Sequence, residues 1–139
     1  MSTGIGGIIP PVITCFDKNG RIDASAQREI VRCLAKYVQG FYPCGTYGSG
    51  PLMSAEERKS VAEIVIKEKG SAKAIIHVGA ASSAEAVDLA QHAEAAGADA
   101  IGAIPPYYYA YSQAQLIEHF RKLIAAVKIP VFLYNNPEL

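Results

Sequence analysis

An α/β fold built on a parallel sheet is predicted by three features of this 139-residue sequence. Short apolar runs alternate with amphipathic stretches of helical length. Each apolar run and the stretch after it together take about thirty residues, which is the usual size of a βαβ step. Signals for helix starts and stops recur at the same spacing. Because strands that alternate with helices run parallel, we expect a sheet that is buried on both faces.

Five apolar runs are the predicted strands. Each is short, and the longer stretches between them carry a helical period instead of a strand period. In the second of these stretches, for example, Val61, Ile64 and Val65 share one face. The predicted strands are residues 8–14, 41–44, 74–78, 100–104 and 131–134.

The starts of the four predicted helices carry capping residues. Asp23 can cap the first helix through its carboxylate. Each of the other three begins with a capping box, in which a serine hydroxyl and a side chain three residues later satisfy free backbone N–H groups reciprocally. The three boxes are Ser54 with Glu57, Ser82 with Glu85, and Ser112 with Gln115.

The ends of the helices are also marked. Gly40, Gly70 and Gly97 stand where the first three helices are expected to end, and we predict that they are left-handed C-caps. Pro130 stops the fourth helix just before the last strand.

Two architectures accommodate this order of elements. One is a doubly wound open sheet, and the other is a (β/α)₈ barrel. A barrel typically needs about 250 residues, so this chain supplies about four βα units and strand five. An open five-stranded sheet is complete at this length, although its last strand has no following helix to cover it. The periodicity leaves both architectures open.

Composition excludes several classes of function. Half of the residues are hydrophobic, the formal net charge is zero, and no run of lysines or arginines offers a surface for nucleic acid. No apolar stretch approaches the roughly 20 residues that span a bilayer, and the start lacks the pattern of a signal peptide. Cys15, Cys33 and Cys44 are odd in number and widely spaced, which fits buried thiols in a reducing cytoplasm.

In either architecture the site is expected at the carboxyl ends of the strands. The segments that follow the predicted strands bring hydroxyl groups from several loops to one rim, whereas acids, histidines and metal ligands are nearly absent there. His92 and His119 fall on helices away from this rim, whereas His77 falls on a strand that could reach it. We expect structural roles for all three. The rim segments are residues 45–51, 79–83, 105–109 and 134–137.

The glycine-rich segment 45–51 fits none of the common catalytic or phosphate-binding loops. It lacks the Lys-Ser/Thr ending of a Walker A loop, and its glycines have the wrong order for a dinucleotide-binding fingerprint. Ser49 is not a nucleophile elbow, because Tyr47 stands where that motif needs glycine. A rim rich in hydroxyls suits proton transfer and carboxylate binding instead. Since a free tyrosine has a pKa near 10, such a relay needs a second hydroxyl to orient the phenol.

Four short motifs, in order and at the ends of predicted strands, resemble the first half of the dihydrodipicolinate synthase/N-acetylneuraminate lyase family. Members of this family are class I aldolases that form a Schiff base in a (β/α)₈ TIM barrel. The resemblance runs along the whole chain and favours the barrel. The motifs are residues 7–14 with Phe16, then Gly45-Thr46-x-Gly48, then Pro106-Tyr107-Tyr108, and finally Tyr134-Asn135-x-Pro137.

The resemblance implies a mechanism in which a lysine at the end of strand six condenses with pyruvate or another 2-keto acid. It assigns Tyr134 as the proton relay, Thr46 as the bridge, and Tyr108 as the partner phenol, which often serves a neighbouring subunit. Gly45 and Tyr47 fall on the loop that binds the substrate carboxylate. The resemblance further implies no metal or organic cofactor and a homo-oligomer, either a dimer or a tetramer.

Three departures from the family pattern bear on the substrate. Tyr47 stands where a second threonine is usual, and Ser49 replaces the usual glutamate. Residues 50–54 resemble the branch that acts on 2-keto-3-deoxy sugar acids, and Leu139 falls where the synthases place a substrate-binding arginine. These departures favour a sugar-acid or aromatic aldolase, hydratase or dehydratase over a synthase of lysine biosynthesis.

The position of the catalytic lysine raises two alternatives. We expect that lysine about one βα unit beyond Tyr134, so residues 1–139 are predicted to be the N-terminal part of one barrel domain, truncated before strand six. The first alternative is therefore a non-catalytic half-barrel that dimerises, aggregates or borrows a partner because its sheet edges are open. The second is a complete flavodoxin-like binding module, against which the absence of a phosphate loop counts.

Overall fold

The computed structural model describes residues 4–135, which fold into four βα repeats with short connections. Four α-helices and four strands alternate along these residues, and a single 3₁₀ turn follows the first strand. In chain order the elements are α1 (Ala24–Leu34), β1 (Gly40–Phe41), the 3₁₀ turn (Gly50–Leu52), α2 (Ala55–Glu68), β2 (Lys73–His77), α3 (Ser83–Ala96), β3 (Ala100–Ala103), α4 (Gln113–Ala126) and β4 (Val131–Leu133).

The topology of the sheet is that of the first half of a barrel. The strands run in the order β1-β2-β3-β4, and every neighbouring pair is parallel. The helices pack in the same sequence, α1 against α2, α2 against α3, and α3 against α4. A doubly wound sheet reverses its strand order and places helices on both faces. The unbroken order and the single helical layer therefore match the barrel.

The predicted first strand is the main difference between expectation and structure. Residues 8–14 run alongside β1 but form only one isolated parallel bridge, between Pro11 and Tyr42. The backbone still pairs, because the amide of Tyr42 donates to the Pro10 carbonyl (3.0 Å) and the amide of Val12 donates to the Tyr42 carbonyl (3.2 Å). Pro10 and Pro11 have no N–H, so a continuous ladder cannot form along this segment.

The helix starts are formed largely as predicted. Asp23 accepts from two backbone amides of α1, and both halves of the capping box are present at Ser54 and at Ser112. At Ser82 only one half is present, since the hydroxyl accepts from the Glu85 amide at 3.2 Å.

One of the three predicted C-caps is wrong. Gly97 caps α3 with a φ of 95°, and Gly70 follows α2 with a φ of 60°. Gly40 instead begins β1, because α1 already ends at Leu34 and the chain crosses a turn before entering the sheet. The prediction failed because glycine also suits a crowded strand, and a Cβ on Gly40 would lie 3.0 Å from the carbonyl oxygen of Lys73.

The hydrophobic core lies between the sheet and the helical layer. Alternation along β2 shows the division, because Ala74 and Ile76 belong to this core whereas Ile75 and His77 face the opposite, inner side. Within residues 4–135, no helix is long and apolar enough to cross a membrane. The inner face of the sheet is where the candidate site lies.

Candidate active site

A cavity of about 570 Å³ opens on the inner face, where the carboxyl ends of the strands meet. Much of its wall is apolar, with Ile9, Ile75, Ile104 and Phe132 among the lining residues. A mostly apolar cleft with a few convergent polar groups is the usual form of a small-molecule site. The polar side chains in the lining belong to Tyr42, Thr46, Tyr47, His77 and Tyr134.

The loop after β1 forms one side of the cavity and is folded tightly on itself. The amides of Gly48 and Gly50 both donate to the Gly45 carbonyl at 3.0 Å, and the hydroxyl of Thr14 donates to the Gly48 carbonyl at 2.6 Å. A Cβ on Gly50 would lie 1.7 Å from the carbonyl oxygen of Cys44, and a Cβ on Gly48 would lie 2.7 Å from another backbone oxygen. Both positions therefore need glycine.

Thr46 and Tyr47, at the tip of this loop, are exposed to solvent and line the cavity. The hydroxyl of Thr46 makes no hydrogen bond within the part of the chain that the structure describes. Tyr47 is 77% exposed, so its ring does not fill the cavity. Gly45 is buried beside them and also lines the cavity. The loop thus presents to a ligand its backbone groups and the hydroxyls of Thr46 and Tyr47, neither of which is hydrogen-bonded within residues 4–135.

Tyr134 lies on the opposite side of the cavity, immediately after β4. Its amide donates to the Ala103 carbonyl at 2.9 Å, which extends the β3–β4 pairing by one residue. Its side chain is 53% exposed and lines the same cavity as Thr46. No hydrogen bond joins the Thr46 and Tyr134 side chains within residues 4–135, so the two predicted residues share a cavity without a direct bond.

Tyr108 is not brought to this cavity. Its side chain is 86% exposed and packs edge-on against Tyr109, with 4.8 Å between the ring centroids. Its φ of 88° is uncommon for a bulky residue and marks a constrained turn after β3. Within the described chain, the predicted group of Thr46, Tyr134 and Tyr108 is therefore incomplete, because the Tyr108 side chain does not line the cavity that Thr46 and Tyr134 share.

Two polar residues of the cavity, Tyr42 and His77, were not singled out as site residues from the sequence. Their rings meet edge to face, with centroids 5.7 Å apart. The Tyr42 hydroxyl is enclosed without a hydrogen bond, and burial, together with the nearby Tyr134, raises the pKa of Tyr42 to about 12. The signal that could have found them is strand alternation, since Tyr42 alternates with outward-facing Phe41 and His77 with outward-facing Ile76.

Arg58 lies behind the cavity wall and contacts both His77 and Cys44, whose thiol donates to the Arg58 carbonyl at 3.6 Å. Arg58 of α2 is 2% exposed and donates from Nη2 to the His77 carbonyl at 2.9 Å. Burial first, and then the Arg58 charge, lower the pKa of His77 to about 4, so its ring is neutral at pH 7. Burial raises the pKa of Cys44 to about 12, and its thiol is therefore not a nucleophile.

Within residues 4–135, no three His, Cys, Asp or Glu side chains lie together in a way that could hold a metal ion. Asn136, Pro137 and Leu139, which contributed to the sequence motifs, lie outside the described residues.

The model of the dihydrodipicolinate synthetase family matches residues 4–139 of this chain. The 4-hydroxy-tetrahydrodipicolinate synthase of Bartonella quintana (strain Toulouse) is 41% identical over 133 residues, which cover 94% of this chain and 45% of that protein. A probable 2-dehydro-3-deoxy-D-pentonate aldolase, YjhH of Escherichia coli (strain K12), is also 41% identical, over 135 residues that cover 96% of this chain and 45% of that protein. The equal identities do not separate synthase from aldolase.

The fold also matches solved structures. YagE, a prophage protein of the dihydrodipicolinic acid synthase family from E. coli K12 that was solved in complex with pyruvate, superposes with a TM-score of 0.91 at 38% identity. The match covers 96% of this chain and 45% of YagE. This chain thus spans about half the length of the relatives that it matches.

Proposed function

The chain belongs to the dihydrodipicolinate synthetase family, and on that premise we propose that it supplies the first half of a lyase acting on pyruvate or another 2-keto acid through a Schiff base. Residues 1–139 are then the N-terminal part of a single barrel domain. The observation that carries the proposal is the meeting of Thr46 and Tyr134 at one cavity on the carboxyl ends of the strands.

In this proposal Tyr134 moves protons during formation of the Schiff base and cleavage of the substrate. A phenol with a pKa near 10 is a slow acid and base alone, so it needs a hydrogen-bonded hydroxyl that orients it. Thr46 is suited to that role because its hydroxyl is free and lines the same cavity. In this proposal the two side chains approach each other when the substrate binds. Catalytic hydrogen bonds are often long in the free enzyme and shorten in the complex with substrate.

Tyr108 completes the relay from a neighbouring subunit in a homo-oligomer, a dimer or a tetramer. Its exposure and its position after β3 support this arrangement, because a phenol that does not line its own cavity is free to reach another. Its edge-on contact with Tyr109 forms an exposed aromatic pair, which is typical of protein interfaces. We propose a cytoplasmic location, where free thiols stay reduced. The expectation that all three thiols are buried is wrong, since Cys44 is buried but Cys33 is exposed.

The loop at Gly45 and Tyr47 is proposed to bind the substrate carboxylate. Tyr47 takes the place of a smaller hydroxyl residue without filling the cavity. The amides of Gly48, Ser49 and Gly50 already donate within the loop, so the amides of Thr46 and Tyr47 are the donors in this proposal. The pyruvate in the YagE complex is a 2-keto acid of this kind. A substrate with a hydroxylated chain is favoured, because the sequence departs from the synthase pattern at Ser49 and Leu139.

A non-catalytic half-barrel is the second candidate, and a specific observation favours it. No lysine among residues 4–135 lines the cavity. Four of the eight lysines of the chain form ion pairs elsewhere. These pairs are Lys59 with Asp88, Lys69 and Lys73 with Asp99, and Lys122 with Glu118. Without a lysine, the cavity could hold a keto acid but could not condense with it. The eight lysines are Lys18, Lys36, Lys59, Lys67, Lys69, Lys73, Lys122 and Lys128.

Reductive trapping distinguishes the two candidates. The complete translated polypeptide that contains residues 1–139 is incubated with pyruvate and borohydride, and its intact mass is recorded. A reduced pyruvate adduct on a lysine supports the lyase. Absence of an adduct contradicts the lyase and supports the half-barrel, provided that a known Schiff-base aldolase is trapped under the same conditions.

A further inference from the structure

His77 and Tyr42 form a polar floor under the cavity that the proposed proton relay does not use. His77 is the last residue of β2 and is 3% exposed, while Tyr42 directly follows β1. Both line the cavity, together with Thr46 and Tyr134. A buried imidazole on the wall of a ligand cavity can hold the protein together or can bind the ligand. The hydrogen bonds that its two nitrogens make show which role it has.

The protonation of the His77 ring follows from its one hydrogen bond. Nδ1 lies 3.1 Å from the carbonyl oxygen of Cys44, and because a carbonyl can only accept, Nδ1 carries the proton. The pKa of about 4 keeps the ring neutral at physiological pH, so Nε2 bears a lone pair. Nε2 is therefore a hydrogen-bond acceptor, and no donor meets it within residues 4–135.

Nε2 differs from the Tyr42 hydroxyl in one respect. The Tyr42 hydroxyl oxygen is fully buried and has no hydrogen-bond partner in the described chain. Nε2 of His77 also has no partner there, but it is not fully buried. An atom that has no partner and is not enclosed keeps contact with the cavity. A ligand can therefore reach Nε2 of His77. Tyr42 affects the ligand indirectly, because its ring holds the His77 imidazole in position.

The two rings are held in place by glycines on the neighbouring backbone. A Cβ on Gly79 would lie 2.9 Å from Nε2 of His77, and a Cβ on Gly102 would lie 2.7 Å from the Tyr42 hydroxyl oxygen. Each ring thus packs directly on a glycine, and the edge contact between them completes the support. An acceptor with so little freedom can discriminate between ligand groups by their hydrogen-bonding character.

We propose that His77 is a specificity-determining residue whose Nε2 accepts a hydrogen bond from a hydroxyl group on the chain of a hydroxylated 2-keto acid, with Tyr42 positioning the imidazole. This inference rests on the proposed lyase function. The lone pair favours a hydroxyl, which can donate, and disfavours a second carboxylate, which cannot. Pyruvate has no hydroxyl group, so its binding does not depend on Nε2.

The test compares two ligands on variants of the complete translated polypeptide. Pyruvate is measured by borohydride trapping, and 2-keto-4,5-dihydroxypentanoate is measured by the steady-state release of pyruvate. His77→Phe keeps a ring and removes the acceptor, and His77→Gln keeps an acceptor. His92→Gln is the matched control, because His92 pairs with Glu63 on the outer helical layer.

His77→Phe is expected to lower kcat/KM for the dihydroxylated acid, mainly through KM, by about 10-fold more than it lowers the rate of pyruvate trapping, while His77→Gln recovers most of the loss. Thermal unfolding of each variant verifies folding, and His77→Leu replaces the phenylalanine variant if that variant does not fold. Equal losses for both ligands, or no loss for the dihydroxylated acid, would overturn the inference alone. Failure of the unaltered protein to trap pyruvate would overturn the proposed function and the inference with it.

Discussion

At the scale of single residues, the side chains at and behind the cavity divide into those that can exchange protons with a ligand and those that cannot. Tyr134 and Thr46 are accessible and face the same space. Cys44 is held as a neutral thiol by its burial, and His77 as a neutral imidazole by its burial and by Arg58. The accessible phenol is therefore the group on which a proton-transfer hypothesis can be tested.

Replacement of Tyr134 by phenylalanine removes only the phenol oxygen. We expect carbon–carbon cleavage by the complete polypeptide to slow by about 100-fold or more, since a positioned acid–base group typically contributes 10²–10⁴. Because the side chain is 53% exposed, thermal unfolding should change little. Steady-state kinetics and a melting curve measure the two quantities. An unchanged cleavage rate would rule out the role of Tyr134.

The glycines of the loop after β1 are required by close backbone contacts. In Gly50→Ala the added Cβ meets the Cys44 carbonyl oxygen, so the loop must move and unfolding should become easier by about 3 kcal/mol or more. Gly6→Ala is the control, because nothing lies within 4 Å of its Cβ position, and it should change stability by less than about 0.5 kcal/mol. Urea unfolding curves compare the two, and similar stabilities would contradict the contact.

At the scale of elements, each helix start is stabilised locally, and each strand depends on its neighbours. The first turns of α2 and α4 carry complete capping boxes, while that of α3 carries half of one. The segment 8–14, by contrast, has the composition of a strand but lacks two of the donors that a ladder needs. Local signals thus predict helix starts more reliably than they predict strand pairing in this chain.

Two serine replacements test the difference between a complete and a partial capping box. Ser54→Ala removes the oxygen that accepts from the Glu57 amide, and it loosens the Glu57 carboxylate, which accepts from the Ser54 amide. We therefore expect the free energy of unfolding to fall by about 1 kcal/mol. Ser82→Ala removes a single bond, at 3.2 Å, and should cost less. Both side chains are exposed, so the comparison is matched. A larger loss for Ser82→Ala in urea titrations would contradict the argument.

At the scale of the whole molecule, the inner face of the sheet gathers residues that are far apart in sequence. Tyr42, His77 and Tyr134 lie at the carboxyl ends of three different strands and meet at one cavity. Burial of a histidine in such an interior has a consequence for the stability of the entire chain, because protonation of the ring opposes the folded state.

The stability of the chain is expected to fall as the pH drops from about 6.5 to about 4. In this window His77 of the unfolded chain binds a proton and buried His77 does not, so acid favours unfolding. The full effect is about 3 kcal/mol, since each pH unit between the two pKa values is worth about 1.4 kcal/mol. His77→Gln should flatten the dependence. Urea unfolding at several pH values measures it, and parallel curves for both proteins would refute the buried neutral imidazole.

The sequence determined the order of elements, the helix starts, and the place of Thr46 and Tyr134 at strand ends, because these follow from short-range periodicity, capping and turn chemistry. Its motifs also carried the resemblance that the family match confirmed. Gly40 shows the limit of such local signals, since a glycine after a helix can equally belong to a crowded strand.

The family resemblance already favoured the barrel over the open sheet, but only the tertiary structure left Tyr108 outside the cavity and brought Tyr42 against His77. The pairing of Tyr42 with His77 spans residues on different strands, and a sequence read locally does not state which strands are neighbours or in what register. That register depends on the packing of the whole sheet against its helices, and it places an acceptor, a free hydroxyl and a phenol around one cavity.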